Sequence, residues 1–297
     1  MNDDAVKPLR DFRVLTLALN VPGPIATARL TRLGASVIKI EPPSGDPLAQ
    51  ACPAWYQALI RHQEIVRLDL KSSDDRTQLE QLLKPCDLLL TASRPRALAQ
   101  LDLDWPTLHQ HYPRLSHVAI VGFPGEQAEL PGHDLTYQAH LGLLNPPALP
   151  RILVADLAGA EQAVGTALAL LLARERDGTG GYRQVALAEA AAAFAEPLNY
   201  GLTTAGGMLG GGLPEYNLYQ TRQGWIALAA LEPRFWQRLQ QALRLNQPGQ
   251  TELGQKDLAQ CFLTRTAMAW ERWGEDHDLP IVALKEPSIK PSASLVL

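Results

Sequence analysis

Short runs of β-forming residues alternate with helical patterns along the first half of the chain, and this alternation constrains the fold more than any other feature. The predicted elements are strands at 13–17, 35–40, 65–70, 87–91 and 117–121, and helices at 24–33 and 73–83. Pro24 suits the first turn of a helix, and Gly34 suits its end. Because parallel strands need crossover connections, the alternation predicts a parallel sheet covered by helices on both faces. We therefore expect an α/β fold with a large Rossmann-like domain.

The second half of the chain predicts a smaller domain of a different kind. The predicted elements there are an apolar helix from about Leu157 to Arg174, a strand at 182–187, a helix at 188–195, and two strands between Glu215 and Ala230 followed by helices. The glycine-rich segment 206–212 is either a flexible crossing between domains or a loop that approaches a ligand. The expected domains are a large Rossmann-like domain at 1–187, a linker at 188–212, a small α+β domain at 213–284 and a tail at 285–297.

Composition narrows the class of protein and the partners that it can have. Of 297 residues, 46% are hydrophobic and 20% are charged, as in globular proteins that dissolve in water. A net charge of −4 gives no reason to expect a nucleic acid partner. The three cysteines, at 52, 86 and 261, have neither metal-ligand spacing nor a disulfide pattern, which predicts a reducing compartment and no metal. With no apolar segment at the N-terminus and no apolar run long enough to cross a bilayer, we expect a cytoplasmic protein without a membrane partner.

The first strand–helix turn argues against a dinucleotide cofactor. It reads Asn20-Val21-Pro22-Gly23-Pro24 rather than G-x-G-x-x-G. Its two prolines also remove backbone N–H donors that would hold a pyrophosphate. The Rossmann-like layout is therefore no argument for nicotinamide chemistry.

Three short segments carry the residues that are best suited to proton transfer. His133 follows Gly132, Asp156 follows the apolar segment 152–155, and Glu232 precedes Pro233. Each also has a plain structural interpretation. His133 fits a loop histidine, Asp156 fits a helix N-cap that stabilises its helix by about 1 kcal/mol, and Glu232 fits an exposed strand end. Asp134, beside His133, is expected to cap the helix that begins near Leu135, or to orient the imidazole.

Many short motifs, in order along the chain, resemble those of one enzyme family. They are the segments 33–47 (LGASVIKIEPPSGDP), 68–72 (LDLKS), Arg94-Pro95, Gly132-His133-Asp134, 155–159 (ADLAG), 176–180 (RDGTG) and 210–216 (GGGLPEY). Together they resemble the family III CoA-transferases and α-methylacyl-CoA racemases, the carnitine-dehydratase-like group. The likeness extends from about Leu9 to about Glu286 and implies the family III CoA-transferase fold.

Within the family, the sequence is more similar to the racemase branch. The resemblance implies a 2-methylacyl-CoA racemase in which His133, supported by Glu232, and Asp156 exchange a proton at the α carbon. Two acid/base groups on opposite sides of that carbon suit the reaction, and the carboxylate suits it if burial raises its pKa. The amides of the first turn after Asp156, at 157–159, are expected to stabilise the enolate.

The likeness also implies how the substrate is held and how the chains assemble. Lys39, Lys71, Arg94 and Arg96 are the expected contacts of the CoA phosphates, and no cofactor is expected beyond the CoA moiety of the substrate. Relatives have basic residues where this chain has Gln63 and Glu64, and a glycine where it has Arg96. A homodimer with interlocked subunits is implied, although the segment that returns to the large domain in relatives is expected to be missing after Leu284.

Two other functions stay open at this stage. The first is a CoA-transferase in which Asp156 is the nucleophile and forms an acyl anhydride with the substrate. The second is a CoA-binding subunit with reduced activity, which the acidic and neutral residues at 63 and 64 would favour.

Overall fold

A computed structural model describes residues 6–243 and 254–286 and divides them into two compact units. The first unit runs to Ala195 and the second begins at Glu196. This boundary lies inside a helix, Leu187–Asn199, in the first part of the predicted linker. Most of the predicted tail at 285–297 lies outside the described residues.

A parallel six-stranded sheet forms the centre of the first unit, in the order β3-β2-β1-β4-β5-β6. Its strands are β1 Arg13–Thr16, β2 Ser36–Glu41, β3 Glu64–Arg67, β4 Leu88–Thr91, β5 Ser116–Val121 and β6 Tyr182–Ala186. Its helices are α1 Pro22–Arg32, α2 Pro47–Ala51, α3 Pro53–Leu59, α4 Ser73–Leu83, α5 Pro95–Ala99, α6 Trp105–His111, α7 Asp134–His140, α8 Val154–Asp177 and α9 Leu187–Asn199. The predicted α/β fold with a parallel sheet is confirmed.

Alternate residues of the central strands build two separate cores, one on each face of the sheet. Leu88 and Leu90 of β4 belong to the core that contains α1 and α8. Leu89, which points to the opposite face because strand side chains alternate, belongs to the core that contains α4 and α6. Both faces are therefore covered by helices, which explains why β4 and β5 are apolar and buried at nearly every position.

Some element boundaries differ from those expected. Helix α1 begins at Pro22, two residues early, because a proline at the first helical position lacks only an N–H that would have no partner there. Strand β3 ends at Arg67, so the predicted strand at 65–70 is too long. Helix α8 begins at Val154 instead of Leu157, and the reason lies in the candidate site.

Helix α8 is, within the described ranges, the one helix long and apolar enough by length and composition to cross a membrane. Nine of its residues are buried, and it packs against α1 and β5 in the core of the first unit. An apolar helix buried in this way is typical of the central helix of a globular domain.

The second unit is a small antiparallel sheet with helices, as predicted for the α+β domain. Its strands are β7 Tyr216–Gln220, β8 Trp225–Ala229 and β9 Ile281–Ala283, and its helices are α10 Pro233–Leu243, α11 Gln255–Phe262 and α12 Ala267–Asp276. Gly224, with φ of +87°, forms the tight turn between β7 and β8. Phe262 and Trp270 fill the core of this unit.

Candidate active site

A cavity of about 280 Å³ lies at the carboxyl ends of β1, β4 and β5 in the first unit. The chain order of the strands reverses between β1 and β4, and parallel α/β sheets bind their ligands at such a point. The cavity is lined by residues that follow these strands and by the segments of the predicted site. The lining residues include Asn20, Arg94, Gly122, Gly132, His133, Tyr137 and Asp156.

His133 enters this cavity from the N-cap of α7. Its backbone is extended, and Thr136 holds it from both sides. The Thr136 hydroxyl accepts a hydrogen bond from the His133 N–H at 3.0 Å and donates one to the His133 carbonyl at 2.7 Å. The backbone is thus held by the first turn of α7 while the imidazole is exposed to the cavity.

Asp156 lies in the first turn of α8 and lines the same cavity. It is the third residue of the helix, whose N-cap is Leu153, so the prediction that Asp156 is the N-cap is wrong. Burial, followed by the negative charge of Asp134, raises the pKa of Asp156 from 3.8 to about 6. The sequence expectation of a buried carboxyl with a raised pKa therefore agrees with the structure.

Asp134 supplies the cap of α8, although it is the first residue of α7. Its Oδ1 accepts hydrogen bonds from the backbone N–H groups of Ala155, at 2.7 Å, and Asp156, at 3.1 Å. Asp134 was expected to cap α7 or to orient the imidazole. Instead, its side chain lies on α7 and caps the neighbouring helix α8. Because this cap starts α8 at Val154, the Leu157 N–H is already bonded to the Leu153 carbonyl. The amides at 157–159 are inside the helix, and the prediction that they stabilise an enolate is wrong.

Tyr137 is a site residue that the sequence analysis missed. It lies one helical turn after His133, is buried, and lines the cavity. Burial and Asp156 raise the pKa of its phenol, while Arg94 lowers it. A Cβ at Gly122 would lie 2.4 Å from the Tyr137 hydroxyl oxygen, and one at Gly132 would lie 2.6 Å from the ring. Gly122 and Gly132 were the signal that the sequence offered, because each makes room for this ring.

Lys39 does not reach the surface. Its side chain is 0% exposed, and its ammonium is 2.9 Å from Glu41 Oε1 and 2.8 Å from Asp46 Oδ2. A phosphate contact at Lys39 would need this buried network to open, so that expectation is not supported by the structure. Asp46 also accepts a hydrogen bond from the Asn20 N–H, and Asn20 lines the cavity with φ of +63°. Lys39 therefore supports the wall of the cavity from behind, and Asn20 is a second residue that the sequence analysis missed.

The other basic candidates lie in different places. Arg94, the N-cap residue of α5, is exposed and lines the cavity. Arg96 is exposed on α5, and its backbone N–H donates to Glu129 at 2.7 Å. Lys71 is exposed beyond β3, the edge strand that β2 and β1 separate from β4. The structure therefore brings Arg94 to the cavity and does not bring Lys71 there.

Glu232 belongs to the second unit. It lies between the end of β8 at Ala229 and the start of α10 at Pro233, outside the helix as predicted. The side chain is exposed. Its pairing with His133 would join the two units and stays a prediction. In the part of the chain that the structure describes, no three His, Cys, Asp or Glu side chains are arranged to hold a metal ion.

The fold and the positions of these residues agree with comparisons to known proteins. The profile of CoA-transferase family III matches residues 9–289, and the chain belongs to that family. It is 29% identical to the succinyl-CoA–D-citramalate CoA-transferase of Chloroflexus aurantiacus, over 83% of this chain and 66% of that protein. It is also 29% identical to the α-methylacyl-CoA racemase of Mus musculus, over 88% of this chain and 74% of that protein.

Solved structures support the same fold. The crystal structure of the hypothetical protein Rv3272 of Mycobacterium tuberculosis has a TM-score of 0.82 at 26% identity, over 95% of this chain and 86% of that one. A CAIB/BAIF family protein of Brucella suis has a TM-score of 0.79 at 20% identity and shows the fold alone. Relatives of this kind include transferases and a racemase, so they define the family without selecting the reaction.

Proposed function

We propose that the protein is an acyl-CoA racemase, an isomerase that exchanges the α proton of a 2-methylacyl-CoA thioester. The observation that carries the proposal is that His133 and Asp156 line one cavity. A histidine ordinarily titrates near neutrality, and the pKa of Asp156 is raised to about 6. A reaction that runs in both directions requires two groups that can each act as acid and as base.

The proposed reaction has two proton transfers and no change in oxidation state. One group removes the proton from the α carbon, and the electron pair of the C–H bond moves into the thioester to form an enolate. The other group then delivers a proton to the opposite face of that carbon. The thioester oxygen needs hydrogen-bond donors as its charge develops. The N–H of Asp134, in the first turn of α7 beside His133, is the donor that we propose in place of the amides of α8.

The substrate is proposed to bind through its CoA moiety, and no other cofactor is proposed. Arg94 is the proposed phosphate or pantetheine contact because it is exposed and lines the cavity. Glu232 is proposed to pair with His133, which would raise the basicity of the imidazole and fix its tautomer. The three cysteines are free thiols, which is consistent with the proposed cytoplasmic location.

A CoA-transferase is the second candidate, because several of the similar proteins are CoA-transferases. The Asp156 carboxylate would attack the thioester carbonyl and release CoA thiolate, leaving a mixed anhydride. The thiolate would then attack the Asp156 carbonyl, release the acyl group as a carboxylate and leave an Asp156–CoA thioester. The acceptor carboxylate would finally take CoA from Asp156 through a second anhydride.

One experiment separates the two candidates. Purified protein is incubated with (2S)-2-methylbutanoyl-CoA, and the product is resolved by chiral chromatography, with hydroxylamine added in a parallel reaction. The racemase predicts a mixture of 2R and 2S thioesters and no modified protein. Hydroxamate at Asp156, detected by mass spectrometry of peptides, with unchanged stereochemistry would contradict the racemase and support the transferase.

A homodimer is proposed from the outer surface of α8. Leu157, Leu168 and Leu172 are 36%, 36% and 63% exposed, on the side of the helix that does not face the core. Leu168 and Leu172 are four residues apart and therefore adjacent on the helix surface. Adjacent exposed apolar side chains such as Leu168 and Leu172 are typical of an interface between subunits.

A further inference from the structure

Asp134, which follows His133 in the chain, and Gln138 form a buried polar pair in the first unit. Both are nearly inaccessible, with 4% and 3% exposure. The Gln138 Nε2 donates to Asp134 Oδ2 at 2.5 Å and to the Ile152 carbonyl at 2.9 Å. The other carboxylate oxygen of Asp134 accepts the N–H groups of Ala155 and Asp156.

We propose that Asp134 is the positioning residue of the site: its carboxylate fixes the place and the electrostatic environment of Asp156 relative to His133, and Gln138 holds that carboxylate in place. This inference rests on the proposed function in so far as it gives both groups a role in proton transfer. Asp134 contacts both of these residues. It is the next residue after His133 in the chain, and its side chain accepts a hydrogen bond from the backbone N–H of Asp156, 22 residues away.

The charge of Asp134 is more than a helix cap requires. Asparagine and serine cap helices about as well as aspartate does. A buried carboxylate is usually accompanied by a cation, yet among residues 6–243 and 254–286 no Lys or Arg forms an ion pair with Asp134. Three N–H donors satisfy its oxygens instead, so its negative charge acts on the neighbouring Asp156 carboxyl.

The surroundings of Asp156 make this effect measurable. Asp134 from α7 and the Tyr137 phenol one turn further along α7 interact electrostatically with Asp156, and His133 and Arg94 line the same cavity. Among residues 6–243 and 254–286, Asp134 is the anion that acts on the Asp156 carboxyl, and it contributes after burial to the raised pKa. Asp134→Asn removes that charge while keeping an oxygen for the α8 amides. Gln138→Met keeps the charge but releases the carboxylate that carries it.

The test uses the full chain with aspartate labelled by ¹³C at Cγ and follows each carboxyl by NMR as pH changes. Asp156→Asn identifies the Asp156 signal. In Asp134→Asn we expect the pKa of Asp156 to fall below about 6, while burial, the larger cause of its raised value, still keeps it above the ordinary value of about 4. Asp104→Asn is the matched control, because Asp104 also caps a helix, α6, through the Thr107 N–H. An unchanged Asp156 titration in Asp134→Asn would overturn the proposal.

Kinetics add the second readout. Gln138→Met should lower kcat for α-proton exchange by about tenfold, with an unchanged pH profile and KM, because the charge stays while its position loosens. Asp134→Asn should move the acid limb of the profile to lower pH. A role limited to helix capping would leave both readouts as in the wild type, because asparagine at position 134 keeps the cap, and that result would contradict the proposal. The NMR titration needs no turnover, so a protein without exchange activity would refute the proposed function and still test this inference.

Discussion

Asp156 is needed for the proposed reaction, but holding its carboxylate in a buried position lowers the stability of the folded protein. Its pKa in the folded protein, about 6, is above the 3.8 of an unperturbed aspartate, so folding takes up a proton between these values. Below about pH 4 the carboxyl is protonated in both states and imposes no cost. Between about pH 4 and pH 6 the unfolded chain has lost this proton while the folded protein keeps it, so the free energy of unfolding falls over that range. Above about pH 6 the folded protein holds a buried carboxylate, and the cost is complete.

We predict that Asp156→Asn raises the free energy of unfolding at pH 8 by about 3 kcal/mol, because the pKa of Asp156 is raised from 3.8 to about 6 and each pKa unit corresponds to roughly 1.4 kcal/mol. The variant should have no advantage at pH 4 and should lose α-proton exchange from the enantiomer whose proton Asp156 removes. Chemical denaturation at the two pH values measures the difference. Asp74→Asn, in the exposed first turn of α4, is the control and should give no gain. A variant that is equally stable or less stable at pH 8 would mean that the Asp156 carboxylate imposes no such cost.

Helix α7 is positioned against β5 by a contact that only glycine permits. A Cβ at Gly122, just after β5, would lie 2.4 Å from the Tyr137 hydroxyl oxygen and 3.2 Å from the ring carbon that bears it. Tyr137 is one turn from His133 on the same helix. Packing at Gly122 therefore determines where α7 places the imidazole.

Gly122→Ala should destabilise the fold by about 1–3 kcal/mol through overpacking. In the double variant Gly122→Ala/Tyr137→Phe the hydroxyl oxygen is gone, so the cost should be smaller than the sum of the single effects. Gly165→Ala is the control, because no atom lies within 4 Å of its Cβ in the middle of α8. It should gain up to about 1 kcal/mol in helix propensity. Additive effects in the double variant, measured by denaturation, would contradict this packing.

The bounds of a helix or strand are well predicted when the residues that determine them lie within that element or next to it. The strands β4 and β5 are nearly uninterrupted apolar runs, and helix α4 begins after a Ser72 cap with Asp74 and Asp75 in its first turn, so their bounds are almost those expected. The start of α8 could not be found in this way, because its cap comes from Asp134 on another helix.

The candidate site was predictable where its residues lie in local motifs, and not where they depend on contacts made after folding. The motifs identified His133 and Asp156, and the structure places both at one cavity. Lys39 was misjudged because its ion pairs with Glu41 and Asp46 form only when β2 and the turn before α2 come together in the core. Tyr137 and Asn20 were missed because their importance comes from what they face after folding.

The proposed homodimer can be tested by changing a residue on the outer surface of α8. We predict that Leu172→Asp dissociates a homodimer into monomers, because it places a charge in the exposed apolar face of that helix. Leu149→Asp is the control, since Leu149 is 75% exposed and lies outside the helix. Sedimentation velocity measures the mass, and circular dichroism checks that both variants fold. A wild-type monomer, or a dimer that Leu172→Asp leaves intact, would contradict this interface.

The central claim is that His133 and Asp156 act on opposite faces of one α carbon. The most direct measurement is the rate of deuterium uptake at that carbon in D₂O, from each enantiomer of 2-methylbutanoyl-CoA separately. The wild type should label both enantiomers. His133→Ala should abolish labelling that starts from one enantiomer, and Asp156→Ala should abolish labelling that starts from the other. Wild-type rates in both variants, or no labelling by the wild type, would contradict the proposed function.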